Sequence, residues 1–251
     1  MKQSAEHVAT LFPLEPPHLP VPPHLPVSDP AIPQYLETVY WWAYLHPKAV
    51  RFFEREWLVN LILWGNFRRL RDLALADLGE SRDQQVLQVA CVYGDFTRQI
   101  VTRLGKQATL DVIDVAPIQL DNLRSKLPPD ARVRLHRQDS SKLQFPDASF
   151  DSTLLFFLLH EQPEDVRRST LAEAARVTRP GGKIIIVDYH KPKWSNPLRY
   201  IMKAVLNTLE PFACDLWRTE IGDYLQATVK PRSIVKTCRF GDLYQKVVIS
   251  L

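Results

Sequence analysis

From about Ser81 to the C-terminus the chain alternates between short apolar runs and helix-periodic segments, and this alternation narrows the fold more than any other feature. The strand-like runs are QQVLQVACV, ATLDVIDV, RVRLHRQD, FDSTLLFFLL and GGKIIIVDY. Helical patterns occupy Phe96–Leu104, Pro117–Leu127 and Glu164–Val177. Apolar strands separated by helices predict a mostly parallel sheet with right-handed crossovers and helices on both faces. Residues 194–231 read as a mostly helical insertion. The tail SIVKTCRFGDLYQKVVIS then predicts a hairpin turning at Gly241-Asp242 and completing a seven-stranded α/β sheet over residues 81–251.

Two other textures precede this domain. Residues 1–33 form a proline-rich tail with a near-repeat, PPHLPV, at Pro16–Val21 and Pro22–Val27. Proline fixes φ and removes backbone donors, so the tail favours extended polyproline II, as a disordered or surface-hugging segment or as an SH3-type ligand. Residues 34–80 form a helical extension in which Pro47 separates two helices and Gly79 is the stop. Its aromatic rings, Trp41, Trp42, Trp57 and Trp64 among them, are flanked by arginines such as Arg51, Arg55 and Arg68. It reads either as packing over a cleft or as a lid that meets a membrane interface.

Bulk properties exclude several classes. A net charge of +4 is too small by itself to point to nucleic acid. Three cysteines without CxxC spacing suggest neither a disulfide framework nor a thiolate zinc site, which suits a reducing compartment. Trp57–Trp64, the longest apolar run, is too short to span a bilayer, and the N-terminus carries no signal-peptide core. A cytoplasmic protein that touches the inner membrane peripherally is expected, and no protein partner is identifiable.

In a doubly wound sheet, ligands bind beyond the C-terminal ends of the strands. The first strand is followed by Ala90-Cys91-Val92-Tyr93-Gly94, where only Gly94 remains of a glycine-rich loop. The second strand ends at Asp114, placed to accept hydrogen bonds from ribose hydroxyls or to cap the next helix. The third ends at Asp139, which either meets another edge of a cofactor or caps its own turn. Val115 and Ser140 accompany these two carboxylates.

The ordered set VLQVACVYGDFT, DVIDVAP, RQDSSKLQFPDASFD, ARVTRPGGKIIIVDYHKP and FGDLYQKVVIS resembles the class I methyltransferases, and within them those acting on ubiquinone and menaquinone precursors. The likeness covers about two thirds of the chain. It implies a Rossmann-like class I methyltransferase fold binding S-adenosylmethionine, with Asp114 on the ribose and Asp139 near the adenine. The usual Asp-x-Gly-x-Gly-x-Gly is altered here: Gln88 stands at the acidic position, and Ala90 and Val92 replace the first two glycines. With the upstream WWAYLHPKAVRFFE, this departure resembles the rhodoquinone-biosynthesis family. That resemblance implies conversion of ubiquinone to rhodoquinone, an amino group from S-adenosylmethionine replacing a ring methoxy group, assisted by manganese. The alternatives are a true quinone-precursor methyltransferase and a non-catalytic binding protein of the same fold.

A carboxylate beside the cofactor's α-ammonium would keep it charged, so Gln88 and Val92 favour the neutral amine that amination needs, unless the change is drift. Tyr93, projecting its hydroxyl into the pocket, His160 and Gln88 are the catalytic candidates. His160 and Glu161 follow the fourth strand, and Asp188 and His190 the fifth, so the four are candidate ligands for a manganese-like ion; His160 otherwise lines the substrate pocket.

Overall fold

The computed structural model describes residues 29–79, 83–130, 132–225 and 230–251. The proline-rich stretch before residue 29 lies outside them. Seven strands form one sheet in the order β3-β2-β1-β4-β5-β7-β6. They are β1 (Gln85–Val89), β2 (Thr109–Asp114), β3 (Val133–Arg137), β4 (Phe150–Phe156), β5 (Thr178–Tyr189), β6 (Ser233–Arg239) and β7 (Tyr244–Ser250). The first five run parallel, and β7 pairs antiparallel with both β5 and β6. The order reverses between β1 and β4, and this switch point opens the crevice in which such sheets hold ligands.

The strands are apolar along their length because both faces are covered. One face presents Val86, Leu110, Val112, Leu154, Ile185 and Val187 to α4 (Phe67–Leu78) and α5 (Phe96–Arg103). The alternate residues Leu87, Val89, Ile113, Leu155, Ile184 and Ile186 pack against α7 (Glu164–Val177). The two sets follow the period of two along each strand. On the first face α4 is part of the core: Phe67, Leu70 and Leu75 are almost entirely buried.

The segment before α4 is more broken than its periodicity predicts. Instead of two helices it holds α1 (Gln34–Thr38), a π-helical turn at Trp41–Leu45, α2 (Pro47–Phe53) and α3 (Glu56–Ile62). Pro47 starts α2, where its missing N–H costs nothing, and Gly79 ends α4 at φ +79°. Between α3 and α4 the chain turns through left-handed Trp64 and Gly65. The 194–231 segment contributes α8 (Leu198–Leu209) and two short 3-10 turns, with residues 226–229 outside the description. α6 (Pro117–Lys126) completes the layers. Trp64 reaches across to α8, where its Nε1–H donates to Met202 Sδ at 3.2 Å. The helices before the sheet and α8 thus meet above the switch point.

Candidate functional site

A cavity of about 430 Å³ lies over the C-terminal ends of β1, β2 and β4, roofed by α1 to α3 on one side and α8 on the other. Its floor is backbone in unusual conformations. Ala90, just past β1, and Phe157, just past β4, both have positive φ, 71° and 53°. Such residues persist only where surrounding structure holds them. Ala90 takes the left-handed backbone of the first glycine in the expected loop. Gly94, at φ +81°, is a glycine for a second reason: a Cβ there would come within 3.0 Å of the Phe67 ring.

The loop is tied down from several elements. Cys91 N–H donates to Asp114 Oδ2 at 2.8 Å, Gly94 N–H donates to Glu54 at 3.1 Å, and Arg71 of α4 holds Asp95 at 2.6 Å. Asp114 also accepts Ala116 N–H at 2.9 Å. Burial pushes its carboxyl up to about 6 despite these backbone donors. Asp139 accepts both N–H and O–H of Ser141 at 2.8 Å, so it caps its turn while lining the cavity. Val92, Val115 and Ser140 line it as well, and Ser140 Oγ is shared with Thr170 and Gln162.

Two candidates stand differently from expectation. Gln88 is fully buried and does not face the cavity: its Nε2 donates to Ala90 O and its Oε1 accepts Thr97 O–H, each at 2.9 Å. It braces the loop. Tyr93 lines the cavity with its ring, but its hydroxyl donates to Ala43 O at 2.7 Å and accepts from Gln119 Nε2 at 2.8 Å. The ring stacks between Tyr44 and Phe53. Its phenol is a structural link to the roof, spent before any ligand arrives.

The other end of the cavity is polar and titratable. His160 Nδ1 pairs with Asp188 Oδ1 at 2.9 Å, and its Nε2 lies 3.7 Å from Glu161 Oε1. Burial opposes a charged imidazole, but Asp188 outweighs it and lifts His160 to about 9. Glu161 accepts a short hydrogen bond from the Tyr44 hydroxyl. Burial raises the Glu161 carboxyl, opposed by His160 and reinforced by Glu210.

The four residues expected to hold a metal are not assembled as one ligand set. Asp188 is sealed from the cavity and occupied by the N–H groups of Leu159 and Tyr189 as well as by His160. His190 turns away: its Nδ1 donates to Asp242 O at 2.9 Å, beside Cys238. Among the described residues no group of three or more His, Cys, Asp or Glu side chains is arranged to hold a metal ion. The donors present therefore do not fit the manganese expectation.

Sequence reasoning assigned no site role to Tyr35, Tyr44, Gln119 or Glu210, all on the cavity wall. Tyr44 and Glu210 lie 166 positions apart and carry no shared motif. The one local signal is Glu210 itself, an acid closing the otherwise apolar α8 pattern.

Residues 86–182 match the family described as a methyltransferase domain. The ubiquinone/menaquinone biosynthesis C-methyltransferase of Azotobacter vinelandii is 32% identical over 141 residues, covering 54% of each chain. The demethylmenaquinone methyltransferase of Staphylococcus aureus is 27% identical, over 54% of this chain and 55% of that one. The chain thus spans about half the length of the curated relatives it matches. Among solved structures, an S-adenosylmethionine-dependent methyltransferase from Aquifex aeolicus aligns with TM-score 0.55 at 17% identity, over 81% of this chain and 97% of that one. A geranyl diphosphate methyltransferase in complex with S-adenosylmethionine aligns with TM-score 0.52 at 14% identity, over 72% and 82%. The fold is the Rossmann-like methyltransferase fold.

Proposed function

We propose that this chain is an S-adenosylmethionine-dependent transferase acting on the ring of a polyprenyl quinone or quinone precursor. The observation that carries this reading is one cavity with two chemically distinct ends. Asp114, Asp139 and the Ala90–Tyr93 loop form the cofactor end, and His160, Glu161, Tyr189 and Glu210 form a proton-handling end walled by aromatic rings. Asp114 accepts the ribose hydroxyls in place of its present backbone donors, and Asp139 and Ser140 border the base. When bound, S-adenosylmethionine supplies an electrophilic group to the ring. The Asp188–His160 pair and Glu161 accept and return protons there. The curated relatives favour transfer of a methyl group to a ring carbon.

A second chemistry, amination of ubiquinone to rhodoquinone, is favoured by one specific feature. The β1–α5 loop brings Ala90, Cys91, Val92 and Tyr93 to the cavity and no carboxylate. Nothing in that loop stabilises a charged α-ammonium, which leaves the nitrogen lone pair more available.

The protein works at the cytoplasmic face of a membrane in this reading. Trp57 and Leu61 of α3, 60% and 65% exposed, and Ile201 and Leu209 of α8 stand beside the cavity mouth. No helix among the described residues is long and apolar enough to cross a membrane.

Calorimetry with S-adenosylmethionine tests the cofactor, and mass spectrometry of quinones after incubation tests the chemistry. A demethylated quinol that gains a methyl supports methyl transfer, and ubiquinone that exchanges methoxy for amino supports amination. No cofactor binding would overturn both.

A further inference from the structure

Glu210 follows the last residue of α8 and projects a carboxylate into the cavity from the roof, opposite His160 and Glu161. Its Oε2 is buried, and the neighbouring Tyr40 hydroxyl interacts with the carboxylate without closing a hydrogen bond to that oxygen. His160 is only 4% exposed, and its imidazole lines the same space. Its Nδ1 is committed to Asp188, and its Nε2 makes no hydrogen bond among the described residues. The walls between them are rings: Phe157 packs edge-on against both His160 and Tyr189. A buried acceptor oxygen left without a closed hydrogen bond costs about 1–3 kcal/mol, and such a group in a native cavity calls for a ligand that completes it.

The ligand chemistry follows from the partners. Burial raises the Glu210 carboxyl and the His160 imidazole opposes that; in its ionised form the carboxylate only accepts, so the group facing it must donate. Flat apolar walls around it select an aromatic ring. We infer that Glu210 is the acceptor for a ring hydroxyl, holding a phenol or hydroquinone between α8 and the end of β4, and that it takes that hydroxyl's proton during transfer. This rests on the transferase reading above. It assigns substrate contact and proton transfer to a residue outside the strand-end motifs.

In the methyl-transfer form the step balances as follows. The ring O–H bond breaks, its proton moves to Glu210 Oε2, and the electron pair stays on oxygen and enriches the adjacent ring carbon. That carbon bonds to the methyl group while the carbon–sulfur electron pair returns to sulfur. The ring carbon then loses its hydrogen as a proton to water, and Glu210 returns its proton to the ring oxygen. One hydrogen has been exchanged for one methyl, with one proton released.

The test separates this assignment from the transferase reading. Methoxyhydroquinone and 1,4-dimethoxybenzene are compared by anaerobic calorimetry on the full chain saturated with S-adenosylmethionine. A pocket built to hydrogen-bond a hydroxyl rejects the analogue lacking it. Wild type is expected to bind the hydroquinone at least about tenfold more tightly than the ether, and Glu210→Ala to reduce that ratio to about threefold or less. Glu210→Gln keeps an acceptor oxygen without the base, so it should retain hydroquinone binding and lose turnover by about a hundredfold. Glu210→Asp should recover part of it. Circular dichroism melting of each variant identifies any that fails to fold, in which case Glu210→Gln decides alone. Equal binding of both probes by wild type, an undiminished ratio in folded Glu210→Ala, or full turnover in Glu210→Gln would overturn the assignment. A wild type that binds the hydroquinone selectively yet transfers nothing would retain the hydroxyl site and remove the transferase reading and the proton step.

Discussion

His160 and Asp188 meet across the C-terminal ends of β4 and β5, Nδ1 to Oδ1 at 2.9 Å, and the same carboxylate anchors Leu159 N–H and Tyr189 N–H. Asp188 therefore sets the orientation and the charge of the ring together. Burial alone would depress the imidazole, but Asp188 carries it up to about 9. Removing that charge reverses the balance: in Asp188→Asn the His160 pKa is expected to drop below the ordinary value of about 6.5. Proton NMR of the imidazole reads this directly, and an unchanged titration would show that another group sets the charge. The sign for stability follows from linkage. A histidine raised in the folded state contributes below its unfolded pKa, and that contribution is lost as pH rises through the folded one. The wild-type Tm should fall from about pH 6.5 to about pH 9, and the Asp188→Asn Tm should fall less over that window.

Asp114 is predicted to control cofactor affinity through its charge. Its carboxyl is pushed up to about 6 by burial, and the ionised form is the stronger acceptor for the ribose hydroxyls proposed to bind there. S-adenosylmethionine should therefore bind progressively more weakly below about pH 6, approaching tenfold per pH unit. Asp114→Ala should weaken binding by about 1–3 kcal/mol at neutral pH and flatten the dependence. Calorimetry across pH 5 to 8 checks both; unchanged affinity in the folded variant would remove Asp114 from the site.

At Ala90 the backbone, more than the side chain, sets what is tolerated. With φ at +71°, Ala90→Gly should be neutral or stabilising by up to about 1 kcal/mol, because glycine adopts that region freely. Ala90→Val should cost about 2 kcal/mol or more, a β-branched residue being an outlier there. Denaturant melts of the two variants decide the matter. Equal effects would mean that the loop relaxes out of this conformation.

Gln88→Asp tests what the buried amide does. The shorter side chain loses the bonds to Thr97 and Ala90 O and leaves a carboxyl in a fully buried site. A stability loss of about 1–3 kcal/mol is expected. If the variant instead keeps its melting point and shifts only the pH profile of turnover, Gln88 governs the cofactor's amine and not the loop.

Vesicle flotation tests the face around the cavity mouth. Trp57 and Leu61 are largely exposed, so their joint change to alanine should leave the melt near wild type. It should reduce binding to anionic vesicles several-fold, in proportion to the apolar surface removed. Equal flotation of wild type and variant would assign that face another role.

How much of this was readable beforehand depends on whether a feature is local. Helix α7 runs from Glu164 to Val177 as its periodicity predicts, and the hairpin turns where Gly241-Asp242 indicated, because spacing and turn residues decide both. The position of Asp114, at the end of β2 and on the cavity wall, was legible because a strand end is a fixed address in this fold. Gln88 and Tyr93 were legible as positions but not as contacts. Which way Gln88 points is decided by Thr97 on the next helix, and the Tyr93 hydroxyl is claimed by Ala43, 50 residues earlier. His190 illustrates the opposite error: closeness to Asp188 along the chain says nothing about facing, and its ring turned to the hairpin. Glu210 was out of reach, since its neighbours come from α1, the π-helical turn and the end of β4.

The contact from Trp64 to Met202 joins two roof segments that belong to distant parts of the chain. The strands beneath do not depend on that joint for their pairing. The roof and the floor of the cavity are thus joined by side chains and not by backbone pairing. Met202 itself packs in the same apolar cluster as Ile185 and Val187 of β5, so a change at the joint reaches the sheet through side-chain packing and not through the strand hydrogen bonds.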